Sequence, residues 1–188
     1  MSWRFRELQI PGPVLIEGET FLDERGFFRE IYKQSAFTTH GVAGRFVQDN
    51  YSRSKSGVLR GLHYQKNPKA QAKLVLVLRG AIFDVAVDLR KGSPFYGRSC
   101  HVRLAAEKFE MLFIPIGFAH GFCALSEETE VLYKVTAEYA PDLNRGVLWS
   151  DPELDIPWPT KTPTLSADDA GLPKLREADH NFVYRESR

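Results

Sequence analysis

Five histidines, at positions 40, 63, 101, 120 and 180, are the side chains best suited to moving protons near neutral pH, because an imidazole ordinarily titrates at about 6.5. Charged partners for them follow from strand phase. In KLVLVLRG (73–80) alternation sets Lys73 opposite to Leu74, Leu76 and Leu78. In AIFDVAVDLR (81–90) it sets Asp84, with Ala86 and Asp88, opposite to Phe83, Val85, Val87 and Leu89. Side chains two apart share a sheet face, so Lys73 and Asp84 can line one cavity, or can be ordinary charges on a solvated face. Cys100 and Cys123 stand far apart without a CxxC spacing, which argues against a thiolate zinc site or a redox pair and reads as two reduced core thiols.

The elements that must position these groups are short strands. No segment before residue 160 keeps a 3.6-residue period for three turns, while runs rich in Val, Ile, Phe and Tyr recur between Gly, Pro and Asp, the pattern of a barrel or jelly roll. Strands are expected at 14–18, 27–33, 46–54, 57–65, 73–80, 81–90, 99–105, 110–115, 120–126 and 130–136. The two helical turns expected are 35–41 and 165–175, the second with Ser166 as N-cap before acidic residues. The 73–80 and 81–90 strands meet at Arg79–Gly80, which predicts an antiparallel hairpin. After residue 150, DPELDIPWPTKTPTLSADD is dense in Pro and Asp and reads as an extended strap.

Composition narrows the function classes. The 188 residues fit one domain spanning 1–188, long enough to bury a core without metal or disulfides. Lys plus Arg number 25 and Asp plus Glu 24, a formal charge of +1, which lacks the broad positive footprint of a nucleic-acid binder. No apolar run approaches the roughly 18 residues of a membrane span. MSWRFRELQIPGPVLIEG has no basic start, long apolar centre or cleavage site, so a cytoplasmic location is expected.

GVLRGLHYQ (57–65) resembles the first motif of the cupin jelly roll, in which a His-x-His pair holds a metal, and FIPIGFAHGF (113–122) resembles the second, ending on His120. Gln65 replaces the second histidine of the first motif, and no carboxylate stands between His63 and Lys73. An amide is a poor substitute for imidazole in a transition-metal site, so no metal is expected.

The strings FLDERGFFREIY, FVQDNYSRS, VLRGLHYQ, QAKLVLVLRGAIFDVAVDLRKGSP, FIPIGFAHGF, LYKVTAEYAP and WSDPELDIPWP resemble, in order, the dTDP-4-dehydrorhamnose 3,5-epimerase family over residues 21 to about 169. The resemblance implies an all-β, cupin-type jelly-roll enzyme without metal or cofactor. It further implies a homodimer in which an N-terminal strand reaches the partner's site. The substrate implied is a dTDP-4-keto-6-deoxyhexose, epimerised beside its ketone. His63 is then the base, Asp169 in the LSxxD segment its partner, Lys73 the enolate's cation and Tyr133 the acid on the opposite face. Arg25 and Glu30 would contact the nucleotide, Gln48 and Asn50 line the site, Arg60 and His120 hold substrate, and Tyr139 stack on thymine, with Asn144 and Asp84 also in the binding set. Read without the resemblance, Tyr133 shares its phase with Val131 and Val135 as a packing residue, His120 is as readily a hydrogen-bonded core imidazole, and Arg25 and Glu30 are surface charges.

Strict alternation sends Arg60 and His63 to opposite faces, which predicts a bulge at Gly61. Two positions depart from the family pattern. Asn144 stands where Glu is common, and Asp168 where a Lys commonly precedes the catalytic Asp. Losing a Lys and gaining an Asp beside a diphosphate would cost favourable charge, which bears on affinity or nucleotide preference. Three rival readings are a C3-only epimerase, a nucleotide-sugar binding module without turnover, and a metal-dependent cupin oxygenase or isomerase, the last disfavoured by Gln65.

Overall fold

Alternation of apolar and polar side chains governs most of the chain, and strands with one buried face must find partners for it. The computed structural model describes residues 2–42 and 44–185. Its strands are β1 (Trp3–Glu7), β2 (Val14–Gly18), β3 (Phe21–Asp23), β4 (Gly26–Phe28), β5 (Gln48–Lys55), β6 (Leu59–Gln65), β7 (Lys73–Arg79), β8 (Ala81–Asp88), β9 (Ser99–Ala105), β10 (Glu110–Ile114), β11 (Phe118–Ala124), β12 (Glu128–Val135) and β13 (Asn144–Gly146). Two short helices, α1 (Gln34–Thr39) and α2 (Ala167–Ala170), complete the regular structure apart from three 3₁₀ turns.

The strands form a six-stranded sheet in the order β1-β2-β10-β7-β12-β5 and a five-stranded sheet in the order β13-β6-β11-β8-β9, with β3 and β4 as a separate hairpin. Val75, Val77, Ile82, Ala86, Leu112, Phe118, Phe122 and Val131 fill the space between the sheets. The sheets remain separate ladders, so the barrel is an open, two-sheet jelly roll. Each outer face is also covered. Phe37 of α1 and the preceding Tyr32 pack with Leu74, Leu76 and Met111 on the six-stranded side, while Leu154, Leu175 and Phe182 of the C-terminal strap cover Leu62, Val85 and Val87 on the other.

Three expectations need correction. β7 and β8 are not hairpin partners: β7 pairs with β10 and β12, and β8 with β9 and β11. The chain crosses between sheets at Gly80, whose φ is +73° and whose missing Cβ would lie 2.5 Å from the Glu128 carbonyl oxygen. A two-residue break in a strand run looks the same in sequence whether the chain folds back or crosses over. The strand expected at 27–33 ends at Phe28, because Arg29 leaves the ladder to reach Thr20 Oγ1 at 2.8 Å and the Ala106 carbonyl at 2.8 Å. The helix expected at 165–175 shrinks to α2 and a separate 3₁₀ turn at Leu175–Glu177, with Pro173 between them. Ser166 does cap α2, its hydroxyl accepting from the Asp169 amide at 3.1 Å. No helix among the described residues is long and apolar enough to cross a membrane.

Candidate active site

A cavity of about 460 Å³ opens between the sheets, lined among others by Arg60, His63, Lys73, His120, Phe122, Tyr133, Asn144, Asp168 and Asp169. β6 brings two of these to one face through a bulge. His63 faces His120 and Arg60 faces Phe122 across the β6–β11 ladder, so Gly61 and Leu62 together oppose Gly121. Gly61 has φ +122°, and a Cβ there would stand 2.5 Å from Gly121 Cα. Only glycine accepts both the conformation and the approach.

His63 Nε2 donates to Asp169 Oδ1 at 2.5 Å. The carboxylate is buried and its imidazole partner half exposed to the cavity. Burial alone pushes the Asp169 carboxyl up, but the hydrogen bond and charge of His63, with contacts from the Gly61 backbone and Ser166, hold it below the usual carboxylate range. An ionised Asp169 keeps the proton on Nε2 and leaves Nδ1 as the ring nitrogen able to accept another.

The opposite wall is the six-stranded sheet. Lys73 opens β7 and is 8% exposed; its ammonium donates to the His63 carbonyl at 3.3 Å. Burial lowers its pKa to about 8, with the Asp84 charge opposing. Tyr133 on β12 faces the same space. Burial raises its phenol above the ordinary value, and the Arg60 guanidinium pulls it back. His120 Nε2 donates to Asp84 Oδ1 at 2.5 Å, and burial, against the pull of Asp84, favours the neutral imidazole. Asp84 is fully buried. It is not among the residues lining the cavity and acts there through His120 and through its charge on Lys73, a correction to its expected place among groups contacting substrate.

Gln65, in the position that a metal-binding cupin gives to histidine, donates to the Lys69 and Glu138 carbonyls, and its Oε1 accepts from the Ala140 amide at 2.8 Å. Its amide is thus committed to backbone. No group of three or more His, Cys, Asp or Glu able to hold a metal occurs among the described residues.

The expected nucleotide residues fall into two groups. Gln48 Nε2 donates to Asn50 Oδ1 at 2.8 Å, and Gln48 Oε1 accepts from the Tyr139 amide at 2.8 Å. These three form one connected patch, with the Tyr139 ring exposed. Arg25 lies at the tip of the β3–β4 hairpin, paired with Asp23 and fully exposed, and Glu30 follows the hairpin. Neither lines the cavity of its own chain. The reading from sequence missed Phe122, Arg145, Leu172, Glu177 and Asp179. Phe122 was within reach, two residues after His120 on one strand. The others lie on or beside the strap, where no periodicity marks a face.

Groups able to take a proton on one wall and to give one from the other describe an isomerase of acid–base type, and the scaffold holding them is the cupin jelly roll. Residues 7–177 match the family model described as dTDP-4-dehydrorhamnose 3,5-epimerase, and the chain belongs to that family. The dTDP-4-dehydrorhamnose 3,5-epimerase of Shigella flexneri is 49% identical over 173 residues, 92% of this chain and 96% of the relative. The crystal structure of dTDP-6-deoxy-D-glucose-3,5-epimerase from Legionella pneumophila Philadelphia 1, in complex with dTDP-4-keto-L-rhamnose, matches with a TM-score of 0.91 and 43% identity over 95% of each chain. A dTDP-4-dehydrorhamnose 3-epimerase from Streptomyces niveus is 43% identical over 176 residues, 93% of this chain and 85% of its own.

Proposed function

We propose that this chain epimerises dTDP-4-dehydro-6-deoxy-D-glucose at C3 and C5, yielding dTDP-4-dehydro-L-rhamnose for deoxysugar biosynthesis. The observation that carries the reading is the placement of His63 and Tyr133 on opposing sheets of one cavity. Inversion requires a base and an acid on opposite faces of the same carbon.

His63 Nδ1 removes the proton from the carbon next to the C4 ketone, and the C–H electron pair moves onto O4 as an enolate. The Lys73 ammonium supplies the counter-charge, worth more inside a cavity than in water. Asp169 stabilises the imidazolium. Tyr133 then returns a proton to the other face of the carbon, and the enolate collapses to the ketone with inverted configuration. The His63 imidazolium then gives its proton to water and the Tyr133 phenolate takes one back from water, so the cycle can repeat at the second carbon with no net change in protons or electrons. Arg60 and His120 hold substrate, with Asn144 at the cavity rim, while Gln48, Asn50 and Tyr139 take the thymidine end. Arg25 and Glu30 serve the site of a second copy in a homodimer, since neither is among the residues lining the cavity of its own chain and Arg25 stands at an exposed hairpin tip.

Proton NMR of dTDP-4-keto-6-deoxyglucose in D₂O tests the reading. Loss of signal at both C3 and C5 is expected, and a His63→Ala variant should lose both exchanges. Loss at C3 alone would assign the reaction of the Streptomyces niveus relative instead. Binding of dTDP without exchange would reduce the chain to a binding module, and an unslowed His63→Ala variant would overturn the mechanism.

A further inference from the structure

Several arginines in this molecule are tethered by carboxylates. Arg53 pairs with Glu128, Arg90 with Asp88 and Arg145 with Asp179, the last at the cavity rim. Each tether fixes direction and cancels charge together. Arg60, like Arg29 outside the cavity, is held by neutral groups. Its Nε donates to Ser54 Oγ at 3.1 Å and its Nη2 to the Arg53 carbonyl at 3.3 Å; among the described residues no ion pair includes it. Ser54 is 5% exposed and sits on the inner face of β5, opposite Thr129. Arg60, raised on the β6 bulge, therefore reaches from one sheet to the edge strand of the other. Both tethers are neutral, and they leave the two Nη1 hydrogens and one on Nη2 for a ligand.

The rest of the cavity makes this charge scarce. Asp168, Asp169, Glu177 and Asp179 all line it, and Arg145 spends Nε on Asp179 and Nη1 on the Asp142 and Asn144 carbonyls. Lys73 is buried against the His63 carbonyl. With Lys73 placed at the enolate, Arg60 is left as the unpaired cavity cation available to a diphosphate. We infer that Ser54 is a positioning residue for nucleotide-diphosphate recognition, aiming the Arg60 guanidinium through a neutral hydroxyl that orients the charge without cancelling it. This rests on the reading of the cavity as a dTDP-sugar site.

Calorimetric titration with dTDP and with thymidine, on the wild type and Ser54→Ala, Ser54→Thr and Ser54→Asp, tests the inference. Ser54→Ala should weaken dTDP about five- to tenfold, the scale of one lost net hydrogen bond, while thymidine changes by less than about twofold. Ser54→Thr, which keeps the hydroxyl, should restore dTDP affinity to within about twofold of wild type. Ser54→Asp keeps the tether but pairs the charge, so it should bind dTDP more weakly than Ser54→Ala, with a flatter dependence on salt. Equal dTDP affinity in Ser54→Ala and wild type would overturn the inference, as would a parallel loss of dTDP and thymidine, the mark of a damaged scaffold. Ser54→Asp binding dTDP as well as wild type would overturn it even if Ser54→Ala failed to fold. A wild type that binds no dTDP would overturn the reading of the site itself, an outcome visible before any variant is made.

Discussion

The Lys73 ammonium is largely withdrawn from water, and burial lowers its pKa from 10.5 to about 8 despite Asp84. That places a conflict between folding and chemistry on one residue. The cation needed beside an enolate opposes folding, because the unfolded chain binds the proton more tightly than the folded one. By linkage, wild-type stability gains as pH rises from about 8 to 10.5, where the folded state has released a proton that the unfolded state still holds. Lys73→Met removes this term. The variant should be the more stable protein at pH 7, by an amount of the order of 3 kcal/mol, and the difference should shrink between pH 8 and 10.5. Urea unfolding of both proteins at pH 7, 9 and 10.5 measures it, and a difference constant with pH would contradict the assignment. Activity should run the opposite way: kcat/KM of the wild type should decline as pH passes about 8 and the counter-charge is lost, and Lys73→Met should lose at least about a hundredfold in kcat.

At the scale of elements, the bulge in β6 decides whether Arg60 and His63 share a cavity. A methyl at Gly61 would meet Gly121 Cα at 2.5 Å and the His120 carbonyl oxygen at 2.8 Å, on a backbone already at φ +122°. Gly61→Ala should therefore cost more than about 2 kcal/mol of stability. It should also lower kcat/KM well below what the remaining folded fraction accounts for, since a flattened bulge turns one of the two side chains out. Gly57→Ala is the matched control, with φ +77° and nothing within 4 Å of its added Cβ; it should lose about 1 kcal/mol and keep its activity. Thermal melts and steady-state rates of the two variants separate these outcomes. The bulge was legible because Arg60 and His63 are out of phase on either side of a glycine. Strand phase likewise placed Lys73 and Asp84 on inward faces, and Ser166 before two aspartates marked the cap of α2. The sheet partners of β7 and β8 were not legible, since period-two alternation shows which side is buried and says nothing about which neighbour buries it. β3 and β13, three residues each, escaped notice for lack of length, β1 because three charges in WRFRE hide its alternation, and the rim residues of the strap for lack of any repeat.

For the whole molecule, the apolar surface left uncovered is itself an argument. Both outer sheet faces are packed, by α1 on one side and the strap on the other, yet the β3–β4 hairpin presents Leu22 at 80%, Phe27 at 66% and Phe28 at 61% exposure, with Leu78 and Tyr51 also open. Side chains of this size in one region call for a partner surface, and a second copy related by a two-fold axis is the commonest. The same hairpin carries Arg25 at its tip, away from the cavity of its own chain. If each hairpin completes the other subunit's site, two defects in different chains can compensate. His63→Ala lacks its base in both sites, and Arg25→Ala lacks both hairpin cations. A heterodimer of the two variants combines both defects in one site and leaves the other intact. Random assortment of equal amounts after unfolding and refolding together should then return about a quarter of wild-type sites. Deuterium exchange by the mixture, compared with each variant refolded alone, measures the recovery. A mixture no more active than the average of its two components would mean that Arg25 serves the chain that carries it, or serves neither.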